Sequence, residues 1–205
     1  MVAPPASMFS RVQSLTFFEV FARVQTVALL TAEEFARLPE DGRRTELVRG
    51  EVLEMNVPVP RHGEVCLNLG AALKSYLKTN SVGRVASNDA GILTERNPDS
   101  VRGPDLFFIS NARLPGRHLP TEYLSMAPEI VFEVLSPTDR WADVFRKTGE
   151  YLAAGVEIVC VIDFDDESVH LYFDRKPEVV LRSGGLLEFP EHLPGFSLPL
   201  TELFE

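Results

Sequence analysis

The chain has 205 residues, 45% of them apolar, with 15 prolines and a formal charge of −10, which fits one globular domain rich in strands and turns. A pI near 4.9 excludes a general nucleic-acid coat, because tight DNA binding relies on Lys and Arg neutralising phosphates; a local basic groove stays compatible with it. Cys66 and Cys160 lie in apolar runs and are the only cysteines, too few for a secreted disulfide scaffold, so a reduced, cytoplasmic setting is expected.

Residues 1–30 read as an extension separate from a single domain over 31–205. Arg11, Glu19 and Arg23 interrupt its apolar residues, so it is too polar for a membrane span or the apolar core of a signal peptide. No membrane partner is expected; an amphipathic helix or a partner-binding arm suits the composition. Thr31 then opens a capping box with Glu34, and a short helix follows to Leu38, before Pro39. Asp41-Gly42 marks a turn. Thr45 to Met55 reads as two strands hinged at Arg49-Gly50, and Pro58 and Pro60 stop the sheet. Arg61 to Lys78 carries Val65, Leu69, Ala72, Leu73, Tyr76 and Leu77 at helical spacing, with His62 and Glu64 in the first turn. Gly83 to Leu93 holds two short strands around Asp89 to Gly91.

The next two strands each carry a carboxylate where a plain core strand would carry none. In Pro104 to Ser110, alternation puts Asp105 with Phe107 and Ile109 on one face; in Glu129 to Ser136, it puts Glu133 between Val131 and Leu135. A carboxylate among apolar strand residues is costly unless it is paired, hydrogen-bonded or bound to a cation. Two of them from separate strands suit a hard divalent cation such as Mg²⁺, which takes a few carboxylates plus water. From Arg140 to Ala154 the pattern is helical. Trp141, Phe145, Thr148 and Leu152 define one side, expected to be buried, and Arg140, Asp143, Val144, Lys147 and Tyr151 the adjoining stripe. Lys147 thus borders the buried face, where its long side chain can reach a neighbouring strand. Tyr151 is expected to pack or to hydrogen-bond with Lys147. Val156 to Asp163 reads as a strand buried on both faces. A meander follows over Val169–Phe173, Glu178–Leu181 and Leu186–Phe189, with an apolar tail from Leu193 to Phe204.

Several familiar chemistries are excluded. There is no G-x-S-x-G elbow, no phosphate-cradling glycine loop and no dinucleotide fingerprint. No CxxC motif or His/Cys cluster suggests zinc.

The strings E-L-V-R-G-E-V-L-E-M, R-H-G-E-V, R-G-P-D-L, E-V-L-S-P-T-D-R, K-T-G-E-Y-L-A-A-G-V and V-C-V-I-D occur in that order. This series resembles the Uma-two family of restriction-endonuclease-like proteins, within the PD-(D/E)xK nuclease superfamily. The resemblance covers Thr31 to the C-terminus. It implies an α/β restriction-endonuclease-like fold, with a mixed central sheet, flanking helices and C-terminal antiparallel strands. It also implies a Mg²⁺- or Mn²⁺-dependent endonuclease acting on DNA, expected as a homodimer. Asp105 and Glu133 would be the metal ligands and Lys147 the charge stabiliser. The superfamily's E-x-K lysine would fall at Leu135; Uma-two relatives place it on the following helix, which matches Lys147. Cys160 stands where relatives usually carry an aromatic residue. Superfamily members often add an acidic residue from the N-terminal part of the core. Glu46 fits by position, with Glu51 and Glu64 competing for the role, and His62 is a further candidate as a proton shuttle. The rival reading, favoured by the acidic pI, is a non-catalytic dimeric module of the same fold that binds a protein or nucleic-acid partner.

Overall fold

The computed structural model describes residues 29–39 and 41–205. Most of the 1–30 extension, with the amphipathic helix expected in it, lies outside the described residues.

Helix α1 (Ala32–Phe35) begins at the Thr31 capping box, where the Glu34 side chain and the Thr31 hydroxyl satisfy each other's backbone N–H groups. Strands β1 (Thr45–Val48) and β2 (Glu51–Glu54) form a hairpin closed by Arg49 and Gly50, both at positive φ. That is the two-residue turn whose twist matches the strands it joins. Strands β4 (Ile92–Glu95) and β5 (Ser100–Arg102) complete a four-stranded antiparallel sheet in the order β2-β1-β5-β4. The strand β5 was not expected from the sequence; its three residues are too few to show a period.

The central sheet has six strands in the order β10-β9-β8-β7-β6-β3. They are β3 (Gly83–Ser87), β6 (Leu106–Ser110), β7 (Ile130–Val134), β8 (Ile158–Asp163), β9 (Ser168–Tyr172) and β10 (Val179–Leu181). Only β7 and β8 run parallel, joined by helix α3 (Trp141–Ala153); the other pairs are antiparallel. The sheet is therefore mixed, as expected. Strands β11 (Leu186–Phe189) and β12 (Leu193–Pro199) form a separate antiparallel pair, followed by one helical turn, α4 (Leu200–Leu203). So the expected tail is a strand and a turn of helix, and only β8 to β10 run as a meander within the sheet.

Alternation divides the central sheet cleanly. Leu106, Phe108, Ile130, Phe132, Val134, Cys160 and Ile162 point to one face, where helix α2 (Pro60–Thr79) adds Val65, Leu69 and Leu73 and the β11–β12 pair closes the core. Phe107, Ile109, Val131, Val159 and Val161 point to the other face, under α3. The Cys160 thiol is fully buried, and burial raises its pKa strongly, so it behaves as a small core hydrophobe. No helix among the described residues is long and apolar enough to cross a membrane.

Candidate functional site

The register of the β6–β7 pair pairs Leu106 with Phe132. One step further along, Asp105 stands opposite Glu133, and directly opposed residues of an antiparallel pair share a face. Glu133 meets the α3 side chains, whereas Asp105, one residue before β6, makes its side-chain contact at the start of α2. Asp105 ends at the strand entrance, where its Oδ2 accepts the Val134 N–H at 2.7 Å and lies 3.3 Å from His62 Nε2. Glu133 Oε1 accepts the Tyr151 hydroxyl at 2.7 Å and lies 2.9 Å from Lys147 Nζ. Among the described residues, no hydrogen bond uses Asp105 Oδ1 or Glu133 Oε2, and both residues line one cleft of about 430 Å³.

Helix α3 follows only half of its apolar pattern: Thr148 is buried and Leu152 packs on the core, but Trp141 and Phe145 do not. Its buried residues are Thr148 and Tyr151, with Val144 and Lys147 half-buried beside them. Trp141 and Phe145, expected on the buried side, are 39% and 52% exposed. The reason is the sheet beneath: Glu133 requires a cation and a hydroxyl, and only the stripe Lys147–Tyr151 offers both. Tyr151 thus gives its hydroxyl to Glu133 and packs its ring near Lys147, whose Nζ sits 5.8 Å from the ring centre. Trp141, Phe145, His170 and Tyr172 pack on one another at the outer edge.

Glu46 comes from the other sheet. It is 4% exposed, and its Oε1 lies 3.0 Å from Lys147 Nζ while also accepting the Gly103 N–H at 3.0 Å. Its Oε2 accepts from Arg102 at 2.7 Å. Leu47 pairs with Val101, so Glu46 and Arg102 are cross-strand neighbours. Arg102 also reaches Glu150 of α3 through Nε at 2.7 Å. Of the three glutamates that competed for this position, Glu51 lies on the fully exposed β2 and Glu64 is an exposed partner of Arg61. Arg102 was not foreseen. A single arginine in a short, unperiodic stretch carries no sequence signal of burial, although it is 2% exposed.

The electrostatics follow from burial and from unequal sharing of cations. Burial raises the Glu133 carboxyl to about 7; Lys147 opposes this, while the charges of Asp105 and Glu46 reinforce it. Burial also works against the Lys147 ammonium, but Glu133 and Glu46 outweigh it and hold its pKa above that of an ordinary lysine. Glu46 is the converse case. Its burial is overcome by Lys147 and Arg102, which hold it below the usual carboxylate range. Lys147 is thus divided between two acids, and Arg102 relieves only one of them.

His62 is 6% exposed, not a surface capping residue. Burial disfavours its charged form, but the hydrogen bond and charge of Asp105 prevail and raise its pKa. One turn later on α2, Cys66 Sγ lies 3.6 Å from His62 Nδ1. Burial, then Asp105 and Glu133, push the Cys66 thiol up to about 12. The structure thus corrects the expectation that no His/Cys cluster exists, since one ligand atom each of His62, Cys66 and Asp105 lie within 4.8 Å of one another. The helical spacing of His62 and Cys66 was a visible signal, and so was the strand beside Asp105; that the two elements meet was not.

The family described as "Uma2: Putative restriction endonuclease" matches residues 32–201. The chain belongs to this family. The Uma2 match begins at the first residue of α1 and ends within α4, so it takes in all twelve strands of the described residues. The fold is similar to the crystal structure of "a putative nuclease belonging to DUF820" from Anabaena variabilis ATCC 29413. The TM-score is 0.72 at 21% identity, over 85% of this chain and 97% of that one. No curated protein matches the chain.

Proposed function

We propose that this Uma2 protein is a Mg²⁺- or Mn²⁺-dependent endonuclease hydrolysing phosphodiester bonds of DNA. The observation that carries the reading is the pair of unengaged carboxylate oxygens, Asp105 Oδ1 and Glu133 Oε2, in one cleft, with the Lys147 ammonium beside them. A hard cation takes oxygen ligands and keeps several waters, so this donor set fits it. Asp105 and Glu133 would hold the ion; when bound, it supplies Lewis acidity to a phosphate oxygen and lowers the pKa of a water.

The chain's own residues do the rest. Glu46, fixed by Arg102 and the Gly103 N–H, holds Lys147 in place, and Lys147 stabilises negative charge developing on the phosphate. Tyr151 fixes the Glu133 rotamer, and the Val134 N–H and His62 fix that of Asp105. Family membership supports DNA as substrate; a homodimer as the acting form belongs to the same proposal.

The charge of the cleft supports a second reading, the non-catalytic module that binds a partner. Arg44, Arg102, Arg146 and Lys147 are each ion-paired, and among the described residues lining the cleft only the cation of Arg140 has no such partner. That is not a basic groove for a duplex. Calorimetry and nicking of supercoiled DNA separate the two. The endonuclease binds Mn²⁺ and nicks only with it, and Asp105→Asn loses both while staying folded. Metal binding without nicking, across several DNA forms, favours the module; metal binding that survives Asp105→Asn ends the site assignment.

A further inference from the structure

The His62–Cys66–Asp105 group adjoins the first cleft through His62 and Asp105. Its three residues line a second cavity, of about 920 Å³, which meets the first at His62 and Asp105. We propose that this group is a binding site for a borderline divalent cation of the zinc class, chemically distinct from the oxygen-only site of Asp105 and Glu133.

The donor types lead to this assignment. An imidazole, a thiol and a carboxylate suit Zn²⁺, Co²⁺ or Cd²⁺, whereas Mg²⁺ has no use for sulfur. A tetrahedral ion bound at about 2.0 Å to N and O and about 2.3 Å to S sets its ligands roughly 3.3–3.7 Å apart. The His62 Nε2 to Asp105 Oδ2 separation of 3.3 Å already matches such an edge. The whole group lies within 4.8 Å; Cys66 Sγ now stands 3.6 Å from the other ring nitrogen, Nδ1, so the proposed site requires the thiol to swing toward the Asp105 side. Three protein ligands and an open cavity leave the fourth position to water, the pattern of an accessible rather than a structural site. The nearby Arg44 does not oppose entry with a bare charge, since both Asp89 oxygens take its guanidinium. Binding replaces the thiol proton and the proton between His62 and Asp105, so protons are released as the ion enters. Asp105 cannot serve both sites fully, so Zn²⁺ would antagonise Mg²⁺. That competition rests on the reading above, whereas ion capture itself does not.

The probe is Cd²⁺, whose thiolate complex absorbs in the near ultraviolet, with Co²⁺ reporting tetrahedral geometry in the visible. The wild type should show both bands. Cys66→Ala should lose the Cd²⁺ band and Cys160→Val should keep it, with folding of each checked by circular dichroism. His62→Gln should weaken Cd²⁺ by at least about tenfold, the usual scale for loss of support at a metal site. A wild type without the band, a band that survives Cys66→Ala, or unchanged affinity in His62→Gln would each overturn the proposal. Calorimetric Mg²⁺ binding by Cys66→Ala reports on the Asp105–Glu133 site separately, so either assignment can fail without the other.

Discussion

Helices α2 and α3 cover opposite faces of one sheet and were both read as amphipathic, yet they bury different kinds of side chain. The helix α2 buries Val65, Leu69 and Leu73 against Leu106, Phe108 and Phe132. In contrast, α3 buries Tyr151 and Thr148, half-buries Lys147 beside Val144 and Leu152, and leaves Trp141 and Phe145 more exposed. Burial follows apolar area when the partner surface is apolar. Where the sheet presents Glu133, and Glu46 arrives from a second sheet, the cost of an unpaired buried carboxylate exceeds the gain from burying an aromatic ring. A polar stripe then wins the interface, and the helix rotates to supply it.

Substitutions on the two helices sharpen this contrast. The largest effect is expected on α2. Leu69→Ala should lower stability by about 2–5 kcal/mol, as lost transfer energy plus a cavity. Chemical denaturation measures it, and metal binding by the folded fraction should be unchanged. A loss under about 1 kcal/mol would mean that the α2 face is loosely packed and the contrast overstated.

Next comes the pH response of the α3 face in metal-free protein. The Glu133 carboxyl, raised to about 7 by burial, holds a proton in the fold that it has released in the unfolded chain above its ordinary pKa near 4.5. Between those values the native state binds more protons, so stability falls as pH rises through this window, by up to roughly 3 kcal/mol. The raised pKa of His62 acts in the same direction; the lowered pKa of Glu46 acts below the window, with the opposite sign. Lys147→Met removes the ammonium that moderates Glu133, so proton uptake should rise near neutrality and the decline should extend above pH 7. Glu133→Gln should flatten it. Thermal melts across pH, with potentiometric titration, decide this, and an unchanged titration in Lys147→Met would show that the ammonium does not act on Glu133.

The smallest effect is expected outside α3. Phe145, 52% exposed, has Trp141 and Tyr172 as ring neighbours, and Phe145→Ser should change stability by no more than about 0.5 kcal/mol. A loss several times larger in a melt would show that this face is covered in solution.

Much of the framework was legible in advance. Strict alternation placed Glu133 on the face of Val131, under α3, as the register of β7 requires; Asp105 precedes β6, outside the reach of that alternation. The capping box, the α2 stripe and the buried β8 run are equally local, because each rests on contacts within a few residues or on one period. The ordered motifs from Glu46 to Asp163 carried the Uma2 resemblance, which the family match over residues 32–201 shows.

What only the tertiary structure decided was pairing between elements distant in sequence. Glu46 was the choice by position, with Glu51 and Glu64 competing, until β5 brought Arg102 opposite it and α3 laid Lys147 over it. Cys66 was an apolar-run cysteine until Asp105, just before β6, came to the first turns of α2. The orientation of α3 depended on a carboxylate of the sheet below, which no periodicity within the helix encodes. Periodicity reports which residues share a face; charge balance across three elements decides which face is turned inward, and that balance exists only once the chain is folded.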